Sequence, residues 1–207
     1  MFTWMKKFVR GYLAGRAMGT IARKRNNPMA AISLIWGSIF SDLKFNWGIR
    51  FVTKEVMEGE NCGLAVNAPK AIFATIPKLC CVLVCLENLN EATNDMTDNE
   101  WAYYVMQGMA HEYRHAEQIE HFESVGLDSD YIFKLLALNY EYLNSPIEKD
   151  AIKFSENLII YSEKGCPKIQ SDWLKVSASM FGVVDDIAQK AQAGLISAAV
   201  FNYAEEE

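Results

Sequence analysis

The run from Thr97 to Gly126 constrains this chain more than any other part of it. Thr97 and Glu100 stand in capping-box register and Gly126 is placed as a terminator, so the segment predicts one long helix. Advancing about 100° per residue, an apolar stripe passes through Trp101, Tyr104, Val105, Gly108, Ile119 and Phe122. His111, Glu112 and His115 fall on that same stripe. A fold that buries this face also buries two imidazoles and a carboxylate, which is costly when nothing compensates the charge. A bound dication would offset it and supply the missing bonds.

The five residues His111-Glu112-Tyr113-Arg114-His115 match H-E-x-x-H, whose spacing sets two imidazoles one helical turn apart, facing a shared ion. The competing reading is a polar helix segment whose histidine pair is satisfied locally. A catalytic zinc site takes three protein ligands and keeps one position open, so a third ligand is needed. His121 sits where the metzincin pattern puts its last histidine, but the turning glycine of that pattern is replaced by Gln118. The helix then continues, carrying His121 roughly 15 Å along the axis from His111, and a surface histidine is expected there. Glu148 is the stronger candidate. Ser145-Pro146-Ile147-Glu148 reads as the opening of a following helix, whose first turn can be presented to the two imidazoles. Its alternative role is to complete a capping box with Ser145, which leaves Asp150 as a reserve ligand.

The segments His111–Gln118 and Asn144–Ala151 resemble the paired motifs of minimal gluzincins, H-E-x-x-H followed by E-x-x-A on the next helix. The likeness covers about residues 97–160. It implies a zinc metallopeptidase domain, with one zinc ion on His111, His115 and Glu148, Glu112 as the general base, and a peptide or protein substrate. Many gluzincins carry an aspartate after the alanine, where it orients a ligand histidine. Here that position is Ile152, and Asp150 is the nearest substitute. Tyr140, Tyr142 and Tyr161 flank the third-ligand region as candidate oxyanion donors, packing being their plainer role, while Cys166 lies too far from the motif to rank.

Around this helix the sequence predicts a predominantly helical α+β fold. Short segments rich in β-branched or aromatic residues, Ile49–Val56, Leu64–Asn67, Ala71–Ile76 and Leu79–Leu86, suggest a small, mostly antiparallel sheet ahead of it. A second helix is expected from about Asp130 to Leu143, and one or two more after Pro167, with Ile187–Tyr203 as the last. A break at Asn26-Asn27-Pro28 follows a basic stretch. The division expected is a basic and apolar helical arm over residues 1–40 and a zincin-like domain over 41–207.

Charge separates along the chain in the same way. Lys6, Lys7, Arg10, Arg16, Arg23, Lys24 and Arg25 precede the first acidic residue, Asp42, so the remainder carries 13 basic against 26 acidic residues. Such an arm meets an anionic surface, an acidic partner or the chain's own body, or else is a solvated helix face. Gly11, Gly15 and Gly19 permit close helix contact, but Arg16 among them weakens a membrane dimer motif. The apolar run Met29–Phe40 is short of the roughly 20 residues of a spanning helix. With no secretory pattern and five cysteines lacking zinc-knuckle spacing, reduced thiols and a cytoplasmic location are expected, within a larger assembly in one reading. Two other functions fit the same residues: a structural or assembly protein that keeps the metal site and attaches through its arm, and a membrane-surface or nucleic-acid-binding module built on residues 1–40.

Overall fold

The computed structural model describes residues 20–39, 43, 45–57, 59, 70–139, 141–161, 167–169 and 181–192. In chain order its elements are α1 (Pro28–Ile39), β1 (Gly48–Val52), α2 (Lys54–Met57), β2 (Phe73–Ile76), β3 (Cys81–Cys85), α3 (Leu86–Ala92), α4 (Asp98–Ser124), α5 (Ser129–Asn139), α6 (Pro146–Leu158), β4 (Ile159–Tyr161), β5 (Pro167–Ile169) and α7 (Phe181–Gln192). Single 3-10 turns occupy Pro77–Leu79 and Tyr142–Asn144. The fold is α+β and mainly helical, as the sequence predicts.

Helix α4 begins with the expected capping box: the Thr97 hydroxyl accepts from the Glu100 amide, and the Glu100 carboxylate accepts from the Thr97 amide at 2.7 Å. It ends at Gly126, whose φ of +79° is a conformation that a side chain would strain. At the proposed break, the Asn27 carboxamide oxygen accepts from the Ala30 amide, so α1 starts on a side-chain cap with Pro28 at its first position. Arg25, just ahead, donates to the carbonyls of Thr93, Asn94 and Met96. One basic residue thus pins the segment before α1 to the turn between α3 and α4.

In the three-stranded sheet β3 is central, with β1 parallel to it (Gly48 opposite Cys81, Val52 opposite Cys85) and β2 antiparallel (Phe73 opposite Val84, Ile76 opposite Cys81). Both faces of β3 are covered. Val82 and Val84 join the main core, whereas Cys81, Leu83 and Cys85 pack with Met57 and Ile76 on the other side. That double burial explains the unbroken apolar run Cys-Val-Leu-Val-Cys, with Cys81 and Cys85 as buried free thiols.

Several boundaries differ from the sequence expectation. The strand expected over Ile49–Val56 stops at Val52, because the Lys54 amide donates to Glu87 and the chain turns into α2. The second helix ends at Asn139, short of Leu143, where a 3-10 turn redirects the chain. The segment Leu64–Asn67, the basic residues from Lys6 to Arg16 and the chain beyond Gln192 lie outside the described residues.

The main core gathers Ile32, Ile35 and Trp36 of α1, Val82 and Val84 of β3, Trp101, Val105 and Met109 of α4, and Phe154 and Leu158 of α6. A second cluster joins Phe122, Ile132, Leu136 and Ile147 to Val184 and Ile187 of α7. Among the described residues no helix is long and apolar enough to cross a membrane. Helix α4 packs against both the sheet and α6, and Gly108 lies hard against β2: a Cβ there would stand 2.5 Å from Phe73 Cε2.

Gly108→Ala should therefore lower stability by about 1–2 kcal/mol although alanine is the better helix former, because overpacking outweighs the propensity gain. In a Phe73→Leu background the loss should shrink or reverse. Denaturant unfolding of the four proteins checks this, and an unconditional gain from alanine would contradict the contact.

Candidate metal centre

Helix α4 carries His111, Glu112 and His115 on consecutive turns of its buried face, and α6 crosses it so that Glu148, in the first turn, meets both imidazoles. His111 Nε2 and His115 Nε2 are 3.0 Å apart, and they stand 3.2 Å and 3.4 Å from Glu148 Oε2 and Oε1 respectively. All three residues can present one donor atom within 4.8 Å of the others, and the group can hold a metal ion. A tetrahedral ion with bonds near 2.0 Å has ligand-to-ligand edges of about 3.3 Å, close to these separations.

Glu148 does not complete a capping box. The Ser145 side chain makes no cap bond and its hydroxyl is buried without a partner among the described residues, while the Glu148 carboxylate turns inward to the histidines. Glu148 Oε2 lies near His111 yet receives no aligned hydrogen bond, and it is buried. A buried carboxylate oxygen left in that state is costly unless a cation sits beside it.

Two buried groups orient the cluster. Gln118, the residue that replaces the metzincin glycine, places Oε1 2.8 Å from His115 Nδ1. Its Nε2 donates to the Ile147 carbonyl at 3.0 Å and to Asp150 Oδ2 at 2.7 Å. Asp150 also accepts from Arg114 Nε at 2.7 Å and Nη2 at 3.3 Å. The Arg114 side chain, fully buried, pairs further with Glu117 and lies over the Phe154 ring. Asp150 is thus outside the ligand group, and its role as a reserve ligand is not realised, because Arg114 and Gln118 occupy both its oxygens. Phe133 of α5 packs edge-on against the His115 ring.

On the sheet side, Glu112 is buried and its Oε2 accepts from the Thr75 hydroxyl of β2 at 2.6 Å. The same hydroxyl is 3.2 Å from the Glu112 carbonyl. His121 lies apart from this group, its Nε2 2.9 Å from Asp185 of α7. The side chains of Tyr140, Tyr142 and Tyr161, and all of Cys166, lie outside the described residues.

Burial opposes charge on His115, but the Glu148 carboxylate, assisted by Glu112 and Gln118, outweighs it and holds the imidazole up at about 9. Glu148 moves the opposite way. Burial pushes its carboxyl up, and the two facing imidazoles more than reverse this, keeping it well below the usual carboxylate range. Without a metal the cluster therefore carries a proton on His115, so metal uptake has to displace it.

Sequence reasoning missed Gln118, Arg114 and Thr75 as members of the site. The helical spacing does place Gln118 one turn beyond His115, which is a usable signal. Nothing local points to Thr75, because its position depends on the pairing of β2 with β3. In comparisons with family models, curated proteins and solved structures, no match to the chain was found, so the geometry itself carries the functional reading.

A proton displaced from His115 makes metal affinity rise by about tenfold per pH unit across the range below His115's own value. Between pH 6.5, its ordinary value, and about 9 that slope should appear in chelator competition with Co²⁺ or Zn²⁺. The metal-free fold has the opposite dependence. The raised His115 contributes fully below 6.5 and loses its contribution as pH climbs through about 9, whereas the depressed Glu148 contributes above its ordinary 4.5 and loses it in acid. A pH-independent metal affinity would remove His115 from the ligand set.

Proposed function

We propose that the chain is a zinc-dependent peptide hydrolase of gluzincin type, with His111, His115 and Glu148 as ligands and Glu112 as general base. The observation that carries this reading is the convergence of three donor groups from two helices, with a fourth, acidic group placed one residue along the same helix and tied to the sheet. Two imidazoles and one carboxylate suit zinc among divalent ions and leave a coordination position free.

Zinc at such a centre supplies Lewis acidity, which polarises a carbonyl and acidifies water. The remaining work falls to the chain. Glu112 takes a proton from water as its oxygen bonds to the scissile carbonyl carbon. It returns that proton to the amine nitrogen as the carbon–nitrogen bond breaks. The Thr75 hydroxyl holds Glu112 Oε2 towards β2, which limits the rotamers of the base and leaves Oε1 for the proton. In this reading an extended peptide pairs with β2, the edge strand of the three-stranded sheet that carries Thr75, so that its backbone passes the base.

A second reading, a structural or assembly protein that retains the metal, draws on one observation. The ligand side chains are only 6–16% exposed, and a structural site is closed. Against it stands Glu112, which no structural site requires.

Glu112→Gln separates the two. It should retain one zinc per chain and lose cleavage of casein or a peptide library by about 10²–10⁴-fold. Glu148→Ala should lose the metal as well, measured by elemental analysis of purified protein. Equal cleavage rates in wild type and Glu112→Gln, or cleavage by neither, would leave the structural reading standing.

A further inference from the structure

Gln118 is fully buried, and both ends of its amide are engaged. The Ile147 carbonyl and the Asp150 carboxylate only accept hydrogen bonds, so the end facing them is the NH₂ group and Oε1 is what remains for His115. His115 must then donate through Nδ1, which turns its Nε2 toward His111 and Glu148. The same NH₂ group grips the carbonyl of Ile147, the residue immediately before Glu148. One side chain on α4 therefore holds an imidazole of its own helix and the backbone of the first turn of α6. Arg114 completes the arrangement by donating to both oxygens of Asp150.

We infer that Gln118 is the positioning residue of the metal centre: it fixes the tautomer of His115 and the placement of Glu148, with Asp150 acting on His115 only through it. The inference rests on the reading of His111, His115 and Glu148 as ligands. It also assigns a substitute for the acid that Ile152 cannot supply. The negative charge is present at Asp150 but is relayed through an amide, so the imidazole meets a neutral oxygen. A packing role alone would leave the metal indifferent to the chemistry at position 118.

The test uses the full chain, with Zn²⁺ affinity measured by chelator competition at one neutral pH, visible absorption of the Co²⁺ form, and thermal melting in excess chelator. Gln118→Met keeps the volume and removes the acceptor. It should weaken Zn²⁺ binding by about 10–100-fold and change the Co²⁺ bands, the size of effect usual for a partner of a ligand histidine. The double variant Gln118→Glu with Asp150→Asn moves the carboxylate one step inward at constant charge; it keeps the acceptor for His115 Nδ1 but loses the donor to the Ile147 carbonyl, so it should bind Zn²⁺ to within about tenfold of wild type. Glu117→Gln removes the other acidic partner of Arg114 and should leave affinity unchanged.

Equal affinity in wild type and Gln118→Met overturns the inference alone. So does a loss in Glu117→Gln as large as in Gln118→Met, which would mean general loosening around Arg114. Should Gln118→Met fail to fold, the double variant decides: affinity within about tenfold of wild type upholds the relay to His115, and a larger loss removes it. No binding of either ion by wild type overturns the ligand reading and this inference together.

Discussion

Charge confined between α4 and α6 sets the terms on which the rest of the chain packs. Arg114, His115, Gln118, Glu148 and Asp150 all face one interface and all are buried. Each charged group alone would cost several kcal/mol to desolvate. They are tolerated because they form two sets with different balances. Arg114 with Asp150 and Glu117 is a set whose guanidinium donors and carboxylate acceptors meet directly. Glu148 with the two imidazoles is balanced only when a proton or a metal ion supplies the positive charge. Within the first set it is the Arg114–Asp150 pair that joins α4 to α6, next to the place where the two imidazoles and Glu148 meet.

The sheet contributes from the opposite side of α4. Lacking a side chain at Gly108, the helix lets Phe73 approach closely, and two residues along the same strand Thr75 reaches Glu112. Strand alternation puts Phe73 and Thr75 on the same face, so one close contact secures the other. Elsewhere the acidic Glu120 on α4 accepts from the Phe45 amide and the Trp47 indole, fastening the segment ahead of β1. Polar groups on α4 thus serve on three sides: toward the metal group, toward the sheet, and toward the chain entering it.

Much of this was legible because it is local. The limits of α4 follow from Thr97, Glu100 and Gly126, and the inward placement of His111, Glu112 and His115 follows from helical period alone. Glu148 could be matched to them because Ser145 and Pro146 announce a helix start, although the sequence could not decide between capping and ligation. What removes the cap is tertiary: α6 crosses α4 at its first turn, so the Glu148 carboxylate faces the histidines rather than Ser145. Asp150 stands outside the group for the same reason, since only the crossing brings Arg114 within reach of it. Thr75 was invisible, because contact with Glu112 requires a strand pairing that no residue near it signals. The early end of β1 likewise depends on Glu87, more than thirty residues further along the chain.

The wide spacing of the third donor from the first two has a mechanical consequence. An ion held by His115 and Glu148 would staple α4 to α6 and close a loop that contains the whole of α5 and the 3-10 turn after it. With both ends fixed, that loop has fewer ways to unravel, and the gain comes from entropy removed from the opened chain rather than from any new contact. Phe133, which touches the His115 ring, belongs to this enclosed segment. Release of the ion would return that freedom to the opened chain, and α5 is the helix inside the loop that gains it.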